Sequence, residues 1–256
     1  MERAYILSPG TLNLPVILRT PDTGAPERVV LGVHGLGGSG EDEIQTNMAE
    51  EMALFGSATI RFDFPGHGRN PSDDLNLADC QKSLLAAAKE ARRLWPEVET
   101  LCVFASGFGA FVTLSVLDGL LELGARVKMV IQTPALVMHE TILAMGGISR
   151  ETLWAMDRIT IPAPRPITLT YAFYEQLREC MVMNACPIPV LILQGQEDAY
   201  VRMEDIHAFK RINDGAKLVI IPGASHRFLE DGAWDMVLDL VRDWFLYEDV
   251  LLCDWE

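Results

Sequence analysis

Six short runs of apolar residues recur along the chain, separated by stretches in which apolar residues return at helical spacing. Continuous apolar runs of this length are typical of strands that are covered on both faces. The predicted strands are residues 28–34, 57–63, 99–105, 128–133, 189–194 and 217–222.

Three segments between or after these strands carry the pattern of amphipathic helices. The clearest follows residue 76, where Leu77, Leu84, Ala88, Ala91 and Trp95 recur at helical spacing and most charges take the other side. Further helices are predicted near residues 108–123 and 233–247. Alternating strands and helices predict an α/β fold, in which a mostly parallel sheet has helices on both faces.

Two regions depart from this pattern, namely the N-terminus and the stretch between the fourth and fifth predicted strands. Residues 4–8 and 14–20 have strand character and predict an antiparallel edge. Residues 135–186 show no clear strand, but they hold five of the eleven methionines, the proline-rich "TIPAPRP" and several aromatic residues. This segment is too long for a plain connection and too apolar for a disordered linker. We interpret it as an inserted cap on a core formed by 1–134 and 187–256; an ordinary packing subdomain is the alternative.

Composition narrows the choice of partners. The formal net charge of −15 argues against nucleic acid and anionic membrane surfaces, because both would be repelled. The N-terminus has no leader pattern and no apolar run approaches membrane-spanning length, which predicts a cytoplasmic protein. Five scattered cysteines without a C-x-x-C pair predict free thiols: Cys80, Cys102, Cys180, Cys186 and Cys253.

Four motifs, each placed where a predicted strand ends, bring in candidate chemistry. They are "VHGLGGSG" (33–40), "RFDFPGHGRN" (61–70), "LQGQEDAYV" (193–201) and "IPGASHRF" (221–228). In this order they resemble the α/β-hydrolase family over nearly the whole chain, and most closely its cinnamoyl and feruloyl esterase group of carboxylic-ester hydrolases. The resemblance implies an acyl-enzyme mechanism with a serine, a histidine and an acid.

The resemblance also implies roles for particular residues. Asp198 falls at the position of the triad acid and His226 at that of the triad histidine, so we expect a hydrogen bond between them. The backbone amides of Leu36 and Phe108 correspond to the oxyanion hole. His34 is expected to brace its loop, as is His67. The sequence has no metal cluster, phosphate-binding loop or dinucleotide fingerprint, so we expect the protein to use neither a metal nor a cofactor.

The stretch "LCVFASGFGAF" (101–111) departs from the family pattern. The vertex of a G-x-S-x-G elbow needs small residues two positions before and after it. Around Ser106 those neighbours would be phenylalanines, whereas around Gly107 they are Ala105 and Gly109. Gly107 therefore occupies the nucleophile position and has no side chain to acylate.

This departure leaves three explanations for the site. The protein is a binding relative that has lost hydrolysis, or it uses the Asp198–His226 dyad as a general base on water or a substrate proton, or the glycine is engineered. Ser39, Ser225 and Cys102 have no motif that would activate them as substitutes.

Two functions follow from this reading. One is hydrolysis of small aromatic or acyl carboxylic esters, either weakly or through water activated by His226, and the other is non-catalytic binding of a small acid or ester. The pocket is predicted between the dyad, the oxyanion amides and the cap; the sequence does not indicate an oligomeric state. Candidate apolar lining residues, for which packing inside the cap is the alternative, are Met145, Trp154, Tyr171 and Tyr174.

Overall fold

The computed structural model describes residues 1–8, 10, 12–72 and 74–247. Ten strands and nine helices are found in these ranges. The strands are β1 (Glu2–Leu7), β2 (Leu14–Arg19), β3 (Arg28–Val33), β4 (Ser57–Phe62), β5 (Thr100–Ser106), β6 (Arg126–Gln132), β7 (Arg158–Ile161), β8 (Ile167–Thr170), β9 (Val190–Gly195) and β10 (Lys217–Ile221). The helices are α1 (Glu43–Leu54), α2 (Leu77–Leu94), α3 (Phe108–Ser115), α4 (Leu117–Leu121), α5 (Met138–Gly146), α6 (Arg150–Met156), α7 (Tyr171–Glu179), α8 (Met203–Ile212) and α9 (Ala233–Leu246).

Eight of the strands form one sheet in the order β1-β2-β4-β3-β5-β6-β9-β10. From β4 to β10 the neighbours pair in parallel, while β1 with β2 and β2 with β4 are antiparallel. All six predicted apolar runs are strands of this sheet, and the antiparallel N-terminal edge is present. The predicted α/β fold with a mostly parallel sheet is confirmed.

Both faces of the sheet are covered, which explains why the central strands lack alternation. On β5, Cys102 and Phe104 pack in the cluster that contains residues of α1 and α9. Leu101, Val103 and Ala105 point the other way, into the cluster that contains α2 and α3. A strand buried on both sides reads as one continuous apolar run.

The predicted helices differ from the observed ones at one break. The segment predicted as one helix over 108–123 forms α3 and α4, because Val116 leaves the helical region with φ −120°. Helix α2 begins after Asn76, whose side chain accepts a hydrogen bond from the Asp79 amide at 3.2 Å and caps the first turn.

The chain between β6 and β9 forms α5, α6, a two-stranded antiparallel hairpin and α7. The sequence showed no strand here, so β7 and β8 are a correction. Their inward residues, Ile161, Ile167 and Leu169, are buried in the same cluster as α2 and α3. The division of the chain into a core and a cap of residues 135–186 stays a prediction.

Four of the five cysteines lie among the described residues. Cys80 and Cys102 are buried, Cys180 and Cys186 are half-buried, and all four are free thiols as predicted; Cys253 lies outside the described residues. Burial raises the pKa of Cys102 to about 12. Within the described ranges, no helix is both long enough and apolar enough to cross a bilayer.

Candidate active site

A cavity of about 470 Å³ opens where β3, β5 and β6 end. Loops that follow the carboxyl ends of parallel strands meet at one edge of such a sheet, which is where these folds place ligands. Its walls come from the loop after β3, the start of α3, the segment between β6 and β9, and the loops after β9 and β10. Lining residues include His34, Leu36, Gly107, Phe108, Thr133, Met145, Pro162, Tyr200, His226 and Trp234.

Asp198 and His226 are brought together as expected from their motifs. His226 Nδ1 donates to Asp198 Oδ2 at 2.8 Å. The carboxylate is 1% exposed and also accepts from the backbone amides of Tyr200 and Val201, at 2.8 and 3.0 Å, and from Gln194 Nε2 at 3.1 Å. These loops follow β9 and β10, which are neighbours in the sheet.

The electrostatics of the pair suit a carboxylate that orients an imidazole. Burial alone would raise the pKa of Asp198, but the hydrogen bond and charge of His226 and the amides of Tyr200 and Val201 outweigh it and lower the pKa. With Nδ1–H held by the carboxylate, Nε2 is the ring nitrogen left to face the cavity.

Gly107 lies at the turn from β5 into α3 with φ +48° and ψ −111°. Its amide donates to the Gln132 carbonyl at 2.9 Å. A Cβ built on Gly107 would have His226 Nε2 as its nearest neighbour, at 3.6 Å. The residue at this turn therefore faces His226 Nε2.

The neighbours of Gly107 explain the local sequence. A Cβ on Gly109 would lie 2.5 Å from the His34 carbonyl oxygen, so only glycine allows α3 to cross β3 this closely. Ala105 is fully buried in β5. Phe104 and Phe108 lie in different clusters, on opposite sides of the sheet.

Ser106 lines the cavity, but its hydroxyl is hydrogen-bonded to a side chain other than His226. Its Oγ donates to Gln132 Oε1 at 2.8 Å, across the pairing of β5 with β6. Sequence reasoning expected Ser106 to point elsewhere but did not identify Gln132, whose signal was a polar residue at the end of an apolar strand. Neither Ser39 nor Ser225 lines the cavity.

The two amides predicted for the oxyanion hole both belong to residues on the cavity wall. In the part of the chain that the structure describes, neither the Leu36 nor the Phe108 N–H donates to a protein acceptor. Phe108 is the first residue of α3, where amides lack an intrahelical partner and the helix dipole favours negative charge.

His34 and His67 contact the residues next to these amides and the ring of Phe108. His34 Nδ1 donates to the Gly35 carbonyl at 2.8 Å, and its Nε2 accepts from the Phe64 amide at 3.1 Å. Burial lowers the pKa of His34 to about 4 and that of His67 to about 3, so both rings are neutral at pH 7. The His67 ring stacks on Phe108 with centroids 6.3 Å apart.

Thr133 is a site residue that sequence analysis missed. It has φ +40°, which is rare for a β-branched residue and costs about 1–3 kcal/mol. Its Oγ1 donates to the His226 carbonyl at 3.1 Å and its amide donates to Leu193 at 2.7 Å. Thr133 thus connects the end of β6 to β9 and to the loop that carries His226.

Of the four predicted lining residues, only Met145 lies on the cavity wall. Trp154 is 67% exposed on the outside of α6. Tyr171 stacks on Tyr174 at 5.7 Å and accepts a hydrogen bond from Arg150 at 2.9 Å. Tyr174 is buried by packing between α5 and α7, so these three residues do not line the cavity.

The apolar and aromatic lining comes instead from the segments that follow β9 and β10. Tyr200 packs edge-on against the His226 ring, with centroids 5.4 Å apart, and Trp234 and Leu229 complete this side. Tyr200 lies within the Asp198 motif, and Leu229 and Trp234 follow the His226 motif, which was the available signal. Within the described ranges, no three His, Cys, Asp or Glu side chains are grouped to hold a metal ion.

Comparison with known proteins identifies the class to which this fold and site belong. Residues 30–240 match the profile of the alpha/beta hydrolase family, and the chain belongs to that family. No curated protein compared with the sequence matches it.

Solved structures agree on the fold. A putative hydrolase from Agrobacterium vitis has a TM-score of 0.79 and 21% identity, covering 94% of this chain and 97% of that chain. Est1E from Butyrivibrio proteoclasticus has a TM-score of 0.76 and 21% identity, covering 95% and 97%. Est1E with bound ferulic acid gives 0.78 and 22%, covering 91% and 94%. At these identities the likeness shows the fold alone.

Proposed function

We propose that this protein binds small carboxylic esters and hydrolyses them slowly, with water in place of a serine nucleophile. The observation that carries the proposal is the position of Gly107, whose missing side chain leaves His226 Nε2 facing open space 3.6 Å from the would-be Cβ. A water molecule there has the imidazole as a base and the Leu36 and Phe108 amides nearby as donors.

The reaction follows from these groups. His226 Nε2 takes a proton from water while the water oxygen bonds to the ester carbonyl carbon. The developing oxyanion faces the Leu36 and Phe108 amides. As the bond to the alcohol breaks, the alcohol oxygen receives the proton from His226 and the free acid is left. Asp198 stabilises the transient imidazolium.

The expected rate is modest, because covalent catalysis is lost. In subtilisin, removal of the serine costs about 2 × 10⁶ in kcat. What remains here is general-base catalysis, about 10²–10⁴-fold, and the stabilisation that the oxyanion amides provide. No acyl-enzyme forms on this route.

The ligand class is supported by the cavity and by a structural neighbour. A volume of about 470 Å³ suits a small organic molecule, and Met145, Tyr200 and Trp234 offer apolar and aromatic surface. Est1E has been solved with ferulic acid. We therefore extend the proposal to aromatic esters of the cinnamoyl and feruloyl type.

Non-catalytic binding of a small acid or ester is the second candidate. The observation that favours it is also Gly107, since the cavity, the Asp198–His226 pair and the loop amides are present without a side chain that attacks. The two candidates share the ligand class and differ only in turnover.

Turnover of p-nitrophenyl acetate and methyl ferulate, together with ferulate binding followed by tryptophan fluorescence, separates the candidates. We expect His226→Ala to lower kcat/KM by about 10²-fold or more. His207→Ala, on the exposed face of α8, serves as the matched control and keeps the parent rate. A parent rate equal to buffer with ferulate bound would leave only the binding candidate. An unchanged rate in His226→Ala would refute water activation by this residue.

A further inference from the structure

The cap segment touches the loop that carries one oxyanion amide. We call residues 34–40 the oxyanion loop and residues 162–166, between β7 and β8, the hairpin tip. The hairpin tip reads "PAPRP", so its three prolines restrict its backbone. Pro162, Ala163 and Pro164 line the cavity, which makes the hairpin tip part of its wall.

The hairpin tip is seated on Gly37 at very close range. The Arg165 amide donates to the Gly37 carbonyl at 3.2 Å. A Cβ on Gly37 would lie 2.6 Å from the Ala163 Cβ and 2.7 Å from the Arg165 carbonyl oxygen, and Gly37 has φ +72°. Only glycine permits this contact, which lies next to Leu36 in the chain.

The Arg165 side chain adds a second connection through Asp42. Its Nη1 lies 3.1 Å from Asp42 Oδ1 and 3.4 Å from the Gly37 carbonyl oxygen. Asp42 also accepts hydrogen bonds from the Ser39 amide at 2.8 Å and from the Ser39 hydroxyl at 3.0 Å. One carboxylate therefore joins the oxyanion loop to the hairpin tip.

Asp42 stands where its side chain could cap helix α1, but it makes a different set of hydrogen bonds. It is the residue before α1, where an aspartate side chain ordinarily caps the first helical amides. Here it makes no side-chain capping bond, because the carboxylate is turned towards Ser39 and Arg165. The local sequence favours a helix cap, and the tertiary contact with the hairpin tip replaces it.

We propose that Arg165 is a positioning residue that latches the hairpin tip to the oxyanion loop, so that seating of the cap and order of the Leu36 amide are coupled. The ion pair joins residues 123 positions apart in the chain. The latch exists whether or not the site hydrolyses an ester, because it is a property of the two segments in the free protein.

Hydrogen exchange of the full-length protein, followed by mass spectrometry, tests the latch directly. We expect Arg165→Ala to speed exchange in peptides spanning residues 34–42 by up to about fivefold, the range for a half-exposed ion pair. Peptides from α2 should be unchanged, which shows that the fold is intact. Arg165→Lys keeps the charge and should retain most of the protection.

Arg158→Ala is the matched control. Arg158 lies on the same hairpin and pairs with Asp74 at 2.7 Å, with similar exposure, but it is at the opposite end from the hairpin tip. Its loss should leave residues 34–42 as in the parent. At about 1 M salt, where the Debye length is about 3 Å, exchange in the parent should rise towards that of Arg165→Ala.

Three results would overturn the proposal. First, exchange of residues 34–42 in Arg165→Ala could match that of the parent. Second, Arg158→Ala could speed exchange of residues 34–42 as much as Arg165→Ala does, which would mean that the ion pair of Arg165 has no special role in ordering the oxyanion loop. If Arg165→Lys exchanged as fast as Arg165→Ala, charge attraction to Asp42 would not hold the oxyanion loop. None of these outcomes depends on turnover, so each is distinct from failure of the proposed hydrolysis.

Discussion

Replacing Gly107 with serine is the sharpest perturbation that this site offers. A Cβ at this position would meet no atom closer than His226 Nε2 at 3.6 Å. The hydroxyl, one bond further out, can reach hydrogen-bond distance of that nitrogen, which is the arrangement of an activated nucleophile. The variant would complete a serine, histidine and aspartate set on the existing backbone.

The backbone sets the cost in stability. Gly107 has φ +48° and ψ −111°, a sparsely populated conformation in which a side chain costs about 1–3 kcal/mol. For a chain of this size we expect the melting temperature to fall by about 2–12 °C. Gly107→Ala adds the same Cβ and the same strain without a hydroxyl, so it should melt like Gly107→Ser and serves as its matched control.

The gain in rate should be large even in an unoptimised site. Hydrolysis of p-nitrophenyl acetate by Gly107→Ser should exceed that of Gly107→Ala by at least about 10²-fold, the lower range of what a positioned base contributes. Stopped-flow traces should show a burst approaching one p-nitrophenol per chain. Intact mass should rise by one acetyl group, and His226→Ala in this background should remove the burst.

The opposite result has a clear meaning. If Gly107→Ser is folded and melts like Gly107→Ala, yet gives no burst and no faster turnover, then residue 107 is not the vertex of a nucleophile elbow. The interpretation of His226 as a base directed at that vertex would then be wrong as well.

Three further predictions concern neighbouring residues. A fluorophosphonate probe for activated serines should leave Ser106 unlabelled in the parent, because its hydroxyl is bound to Gln132; peptide mass spectrometry that found the label there would contradict the geometry. Thr133→Val should lower the free energy of unfolding in urea by about 0.5–1.5 kcal/mol, since it loses the hydrogen bond to the His226 carbonyl but keeps the β-branch, whereas Thr133→Ser should retain most of it. Acidification should destabilise the protein by about 3 kcal/mol through His34 alone, because the pKa of His34 is 6.5 in the unfolded chain and about 4 in the folded protein. This contribution to stability is complete above pH 6.5 and is lost as the pH falls towards 4. The free energy of unfolding in urea, plotted against pH over that range, should have a flatter slope for His34→Gln than for the parent.

The sequence was most informative where the fold repeats a simple physical pattern. Strands buried on both faces are continuously apolar, so β3 to β6 could be read directly. Asp198 and His226 could be placed together because their motifs match the acid and histidine positions of the family that the sequence resembles, in the expected chain order. The sizes of Ala105 and Gly109 located the turn at Gly107, because helix and strand cross closely there.

The misses share a different cause, since each depends on contacts between distant segments. Nothing in a helical or aromatic pattern says which side chains of residues 135–186 meet the cavity, and so Trp154, Tyr171 and Tyr174 were misplaced. The positive φ of Thr133 opposes its intrinsic preference and is held by one partner on β9 and one on the loop after β10. The contact of Arg165 with Asp42 overrides the local capping preference of an aspartate before a helix.

The hydrogen bonds around Gly107 have a consequence for how this protein could acquire new chemistry. The Gly107 amide binds the Gln132 carbonyl, and the Gly107 carbonyl accepts from the Ala135 amide at 3.4 Å. Both bonds use only main-chain atoms, so neither of them requires a particular side chain at residue 107. We therefore expect that one substitution at this turn can alter the chemistry of the site while these two bonds remain, at the cost of the backbone strain.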